Sequence, residues 1–280
     1  VHVRDFAGGA LALQAVHDGA AHVCSGAYEH TLLQQSQGHD FRAFVVQGRA
    51  PQQALGVSVR ALPGYRRPAD LRGRRIGVSA PGSSTQVMAS VLLARAGVDA
   101  REVSFVGVGT GATAVAALRS GRVHALCHAD PIMSLLEHRG EVRLVSDLRT
   151  LTVAQELFGG SMPASCLYAP QAFLHKEPMV AQALTNAIVH ALKWLQTASP
   201  ADLIKAVPAS YVLGERAVYL AAFNRVRETF SPNGLMPEDG PATALRALAQ
   251  AYPHMASPRV SLPRTFTDDL ARKARQKFGV

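Results

Sequence analysis

The sequence predicts an α/β protein of two similar halves, and three observations predict it. Short apolar β-type runs alternate with helical stretches through the first half of the chain, which is the pattern of a parallel sheet covered by helices. Displacing the chain against itself by 102 residues pairs Gly9 with Gly111, Ala15 with Ala117, Gly19 with Gly121, His22 with His124, Leu33 with Leu135 and Gly38 with Gly140. Helix, turn, strand and following helix coincide at that offset, implying two β-α-β-α units; a single doubly wound sheet with chance similarity is the alternative. Pro63-Gly64-Tyr65 and Arg67-Pro68 punctuate the passage between the units, where a linker belongs.

In chain order, strands are expected at 1–3, 22–25, 41–47 and 54–60, then at 75–79, 103–108, 124–128 and 141–146. Helices are expected between them at 10–17, 29–36, 84–96, 112–119 and 132–138. Gly159-Gly160-Ser161-Met162-Pro163 marks a return crossing, and two crossings make a hinge. Beyond a strand at 166–169 the chain turns helical, with an amphipathic pattern over 178–196 and three or four further helices.

Composition narrows the function. At 280 residues and 48% hydrophobic the chain can bury a substantial core in one large domain or two smaller ones. No run approaches the roughly 18 apolar residues of a membrane span, so the chain is expected to be soluble, with any export signal upstream of Val1. The net charge of +9 comes chiefly from 24 Arg against 5 Lys, scattered from Arg4 to Arg275. The densest run, Arg66, Arg67, Arg72, Arg74 and Arg75, reads as a solvated surface; a general attraction for anions is expected, and nucleic-acid binding is not. Cys24, Cys127 and Cys166 are widely spaced in apolar runs and fit buried packing, so neither a disulfide framework nor a metal site is expected.

The strongest local signal is Arg75-Ile-Gly-Val-Ser79 followed by Ala80-Pro-Gly-Ser-Ser-Thr85 and an apolar helix. A strand turning through Gly82 into a helix headed by Ser83, Ser84 and Thr85 aims backbone N–H groups and hydroxyls at one spot suited to an anion or a polar oxygen. Ordinary N-capping is the plainer use, and needs only one hydroxyl. Gly109-Thr110-Gly111 opens a second helix at the same sheet edge, where ligands of parallel α/β sheets bind; a tight turn needing glycine is the other reading. The corresponding edges carry Ser25-Gly26-Ala27-Tyr28-Glu29-His30 and His128-Ala129-Asp130-Pro131. Tyr28, Glu29 and His30 offer an aromatic face, a carboxylate and an imidazole to one ligand, although Glu29 also suits a helix dipole and Asp130 a helix cap. Cys24 near His30 is the one pairing an enzyme could use. No catalytic residue and no cofactor is assigned.

The run Asp70-Leu-Arg-Gly-Arg-Arg-Ile-Gly-Val-Ser-Ala-Pro-Gly-Ser-Ser-Thr85, with Val106-Gly-Val-Gly109 and Ala112-Thr-Ala-Val-Ala-Ala-Leu-Arg-Ser-Gly-Arg-Val-His-Ala125, resembles the periplasmic binding proteins of the nitrate, sulfonate and taurine importers, a group that includes thiamine-pyrimidine binders. Phe6-Ala-Gly-Gly9, Leu167-Tyr-Ala-Pro170 and Thr265-Phe-Thr-Asp268 extend the likeness along nearly the whole chain. The resemblance implies a type II periplasmic binding fold with one lobe at 1–60 plus 169–280 and the other at 61–168. It also implies a ligand held between the lobes and delivered to an ABC permease, with Ser79, Gly82, Ser83, Ser84 and Thr85 on one wall and 25–30 on the other. Val1 aligns with the second strand of the family fold, so the first strand and helix are expected to be missing. His124 stands where the family has Asp, so that position does not carry over.

The function expected is therefore reversible capture, by a periplasmic monomer without a cofactor, of a small anionic or polar solute such as a sulfonate, carboxylate, nitrate-like ion or pyrimidine. The alternatives are an enzyme of the same fold, desulfinase-like or pyrimidine-synthase-like, whose cysteine motifs do not stand out here, and the ligand-sensing domain of a transcription regulator.

Overall fold

The computed structural model describes residues 1–256 and 260–280. In chain order the elements are α1 (Gly9–His17), β1 (Cys24–Ala27), α2 (Glu29–Ser36), β2 (Phe41–Val46), β3 (Gln53–Ser58), β4 (Arg75–Val78) and α3 (Ser84–Arg95). There follow β5 (Ser104–Gly107), α4 (Ala112–Arg119), β6 (Ala125–Ala129), α5 (Ile132–His138), β7 (Val142–Asp147), α6 (Leu151–Phe158) and β8 (Ser165–Pro170). The remainder is helical: α7 (Gln171–Lys176), α8 (Pro178–Thr197), α9 (Pro200–Ala206), α10 (Ala209–Val212), α11 (Arg216–Val226), α12 (Gly240–Ala251) and α13 (Asp269–Phe278). The expected strand at 1–3 is irregular chain, and α6 lies outside the expected helices.

The chain divides into two compact units. The first comprises Val1–Leu11, Gln52–Thr150 and Ser199–Val226; the second comprises Ala12–Pro51, Leu151–Ala198 and Arg227–Val280. The change-overs at 51/52 and 150/151 lie ahead of the lobe boundaries expected at 60 and 168, and 199–226 joins the central segment. That helical segment is tied in by its packing: Leu213 and Val218 lie against the apolar cluster of the first unit, while Arg139 pairs with Glu215 and Arg225 with Glu137.

The first unit holds a five-stranded sheet of order β5-β4-β6-β3-β7. β4 runs parallel to β5 and β6, whereas β3 is antiparallel to both of its neighbours. Val108, Val115, Leu118, Leu126, Ile132, Met133 and Leu136 pack α4 and α5 onto it. The second unit holds a three-stranded sheet in which β8 lies between β1 and β2 and is antiparallel to each, with Phe44, Val45, Leu167 and Val189 in its core. The architecture is α/β as expected, but its sheets are mixed or antiparallel. Strand-helix alternation reports local crossovers, while β3 and β8 take partners that lie far along the chain, beyond the reach of any local pattern.

The 102-residue repeat is realised as structure. Gly19 and Gly121 both have positive φ (71° and 73°), as do Gly38 and Gly140 (89° and 65°), each just past a helix end where a side chain would be strained. Helix-strand-helix from α1 to α2 thus matches α4 to α5.

Candidate functional site

β4 and β5 are adjacent and parallel, so the turns that leave their carboxyl ends lie side by side. The turns are also bonded together: the Val108 N–H donates to the Val78 carbonyl at 2.8 Å, and the Gly109 N–H to that of Ser79 at 3.0 Å. Each turn enters a helix, placing the starts of α3 and α4 at one edge of the sheet.

Ser83 is the N-cap of α3 in extended geometry (φ −77°, ψ 162°), yet its side chain makes no capping bond. Its Oγ instead accepts the N–H of Ala10 at 3.0 Å. The neighbouring Gly8 is pressed so close that a Cβ there would stand 2.6 Å from Ser83 Oγ and 3.1 Å from Ser79 Oγ, so only glycine fits. Ser84 Oγ accepts from Gln53 Nε2 at 2.9 Å. Thr85 Oγ1 accepts the Ser79 N–H at 2.9 Å and shares a hydrogen bond with Ser79 Oγ at 3.0 Å. Gly82, at φ +76°, donates its N–H to Gln86 Oε1 at 2.8 Å. The three hydroxyls therefore shape and brace the turn, and none of them caps the helix.

The second helix start is also uncapped. Gly111 is the N-cap of α4 and has open space where a Cβ would stand, while Gly109 has φ +78°. Thr110 between them is exposed. His128 pins this loop from β6. Its Nδ1 accepts the Ala129 N–H at 3.0 Å, which leaves Nε2–H to donate to the Gly109 carbonyl at 2.9 Å. Burial holds its pKa below the ordinary imidazole value, so the ring is the neutral tautomer that this bonding requires.

Asp130 closes the same edge. Its Oδ1 caps α5 by accepting the Ser134 N–H at 2.8 Å, and it pairs with Arg149 at 3.2 Å. Arg149, which no local spacing in the sequence singles out, is completely buried. It grips Asp147 with two hydrogen bonds of 2.7 Å, reaches Glu137 at 2.9 Å and donates to Ser134 Oγ at 3.2 Å. Burial alone would raise the Asp147 carboxyl; the hydrogen bonds and charge of Arg149 more than offset it, and the group lies below the usual carboxylate range.

In the second unit the expected set 25–30 divides by burial. Ser25 is exposed, with its Oγ donating to Gln47 Oε1 at 3.2 Å, and Gly26 is half-buried under Tyr168. Tyr28, Glu29 and His30 are buried. The Tyr28 hydroxyl is spent on Thr265 Oγ1 at 2.6 Å, and burial pushes its pKa upward. Cys24 and His30 do come together, both on the Tyr168 hydroxyl, which meets His30 Nδ1 at 3.0 Å. Burial raises the Cys24 thiol, however, and a protonated thiol is no nucleophile.

A family model described as NMT1/THI5 like matches residues 1–201 of the chain. The chain belongs to the NMT1/THI5-like family. Among solved structures, this NMT1/THI5-like chain is similar to a protein of Bordetella bronchiseptica RB50 at 52% identity, over 100% of this chain and 88% of that one, with a TM-score of 0.97. It is similar at 21% identity to the alkanesulfonate-binding protein SsuA from Xanthomonas axonopodis pv. citri bound to MOPS, over 95% and 86% of the two chains, with a TM-score of 0.66. It is similar at 13% identity to the periplasmic nitrate-binding protein NrtA from Synechocystis PCC 6803, over 97% and 79%, with a TM-score of 0.69. The fold is thus that of periplasmic solute-binding proteins. No curated protein matches the sequence. Among the described residues no helix is long and apolar enough to cross a membrane.

Proposed function

We propose that this chain is the solute receptor of an ABC importer, working in the periplasm as a monomer and handing its ligand to a permease. The ligand class is a small anion or polar solute: a sulfonate, carboxylate, nitrate-like ion or pyrimidine. One observation carries the reading. Two helices begin side by side at the carboxyl ends of β4 and β5, and neither start is closed by a side-chain cap. The positive ends of two helix dipoles then lie side by side, which favours an oxyanion. The sulfonate and nitrate specificities in the names of two structural relatives fit the same chemistry.

Within the reading, Ser79, Gly82, Ser83, Ser84 and Thr85 form a rigid turn, and Gly109, Thr110 and Gly111 form the second. His128 and Asp130 hold the second turn and the next helix start in place. The second unit by itself offers Ser25 and Gly26 as candidate ligand contacts, with Tyr28, Glu29 and His30 in its interior behind them. The ligand leaves unchanged, so recovery of intact solute separates this function from that of an enzyme on the same fold.

Titration calorimetry with nitrate, taurine, longer alkanesulfonates, simple carboxylates and a pyrimidine tests the proposal. One of these classes is expected to bind at a single saturable site. Ser84→Asp places a carboxylate at the start of α3, where it suits the helix dipole but repels an anionic ligand. Binding should fall at least about tenfold, a change of about 1.4 kcal/mol, with no loss of thermal stability. Unaltered affinity in that variant, or a solute recovered chemically changed, would refute the proposal.

A further inference from the structure

The densest stretch of arginines in the sequence, between Arg60 and Arg75, is joined in the fold by the distant Arg122. The first unit carries 17 Arg and Lys against 10 Asp and Glu, a formal +7 out of the chain's +9. Within it they collect at the sheet edge opposite Ser79 and Gly109. The register fixes this: Arg75 pairs with Ser104, Ile76 with Ala125, and Val57 with both Ala125 and Arg143. The starts of β4, β5, β6 and β7 and the end of β3 therefore lie in one row, about 20 Å wide at about 4.8 Å per strand. Arg60, Arg66, Arg67, Arg74, Arg75 and Arg122 stand exposed along this row and the loop beside it.

Two of these side chains, Arg75 and Arg122, are anchored on backbone carbonyls, which leaves their charge unneutralised. Arg75 donates to the carbonyls of Arg122 and Gly121 at 2.6 and 3.1 Å, Arg122 to that of Gly107 at 3.3 Å, and Arg143 to that of Tyr65 at 2.7 Å. Of the nearby carboxylates, Glu102 pairs with Arg72, Asp99 with Arg101 and Glu141 with Arg119, while Asp70 accepts the backbone N–H groups of Arg66 and Arg67 and feels the charge of both. Among the described residues none of the six exposed arginines lies in an ion pair within 4 Å. His124, in the same row, registers the resulting field: burial first, then the charges of Arg75 and Arg74, depress its pKa.

The row is poor in apolar surface, since among the described residues Val59 is the one large hydrophobic side chain exposed beside it. A stable protein interface needs an apolar core. Adsorption to a charged bilayer needs only a field, and guanidinium groups bind phosphate oxygens in pairs. We propose that this edge rests on anionic phospholipid headgroups, holding the chain at a membrane surface through the side of the sheet away from the uncapped helix starts.

Flotation of the intact chain with phosphatidylcholine vesicles, with and without phosphatidylglycerol, tests this. Binding should require phosphatidylglycerol and collapse as NaCl rises to about 0.5 M, where charges are screened beyond a few ångströms. The triple variant Arg60→Gln, Arg66→Gln, Arg74→Gln should lose affinity by about a hundredfold, three charges at about 1 kcal/mol each. A control of equal charge loss in the second unit, Arg272→Gln, Lys273→Gln, Lys277→Gln, should stay within about threefold, with melting curves confirming that both variants are folded. Binding that ignores phosphatidylglycerol, no binding at low salt, or equal loss in both triples would overturn the proposal. So would tighter binding of duplex DNA or polyglutamate through the same arginines, which would reassign the row to nucleic acid or to an acidic protein.

Discussion

Among the described residues Arg149 makes more ion pairs than any other side chain: it is wholly buried, with Asp130, Asp147 and Glu137 around it and Arg225 closing on Glu137. A buried ion network is weak evidence for stability, but breaking one leaves uncompensated charge behind. Arg149→Met should therefore cost about 3–5 kcal/mol in urea unfolding; a cost below about 1 kcal/mol would mean that the carboxylates find other partners or water. The pH dependence follows. The Asp147 and Glu137 carboxyls lie below their ordinary values of 3.8 and 4.5 in the folded chain, because Arg149 and, for Glu137, Arg225 offset what burial would raise. Their contribution is present above those values and lost as pH falls through the lower folded ones. Acid unfolding of the wild type should accordingly steepen below about pH 4.5, and the Arg149 variant should show a shallower slope there. Gly8 is the second residue on which much depends. Gly8→Ala drives a methyl group against Ser83 Oγ and should destabilise by about 1–3 kcal/mol, the usual range for overpacking, and weaken solute binding with it, as denaturant melts and calorimetry would reveal.

At the scale of elements, α4 begins where it does because His128 holds the Gly109 carbonyl. The ring is buried and its pKa lies below the ordinary 6.5, so the unfolded chain takes up a proton at a higher pH than the folded one. Stability is therefore intact above about pH 6.5 and declines as pH falls through the folded pKa. His128→Gln should flatten that part of the stability profile and loosen the 109–111 loop, visible as faster hydrogen exchange over the start of α4. The strand and helix candidates at 41–47, 75–79, 112–119 and 132–138 agree with β2, β4, α4 and α5 to within a residue at either end, because apolar periodicity and flanking glycine act locally. The hydroxyl-rich turn was legible as a helix start for the same reason. Its wiring was not: Ser83 bonds to Ala10 and Ser84 to Gln53, partners that no local spacing announces.

The whole molecule divides into two compact units, each assembled from three stretches of chain. A ligand that binds the folded state alone must stabilise it, by about 2.7 kcal/mol at a hundred times its Kd. Scanning calorimetry should show Tm rising with the logarithm of solute concentration for whichever class binds, and an unchanged Tm at saturating solute would contradict the receptor function. What the sequence by itself determined is the α/β class, the internal repeat, the family resemblance and the helix starts, because each is written in residues a few positions apart or in a repeated order of them. Only the tertiary structure decided that β3 and β8 run antiparallel to their neighbours, that Tyr28 turns inward to Thr265, that Arg149 gathers three acids, and that Arg122 joins the arginines of 60–75 at one edge. Those outcomes depend on which faces are buried against which. Packing is a property of the assembled chain, and the same local pattern is compatible with several partners until the core closes.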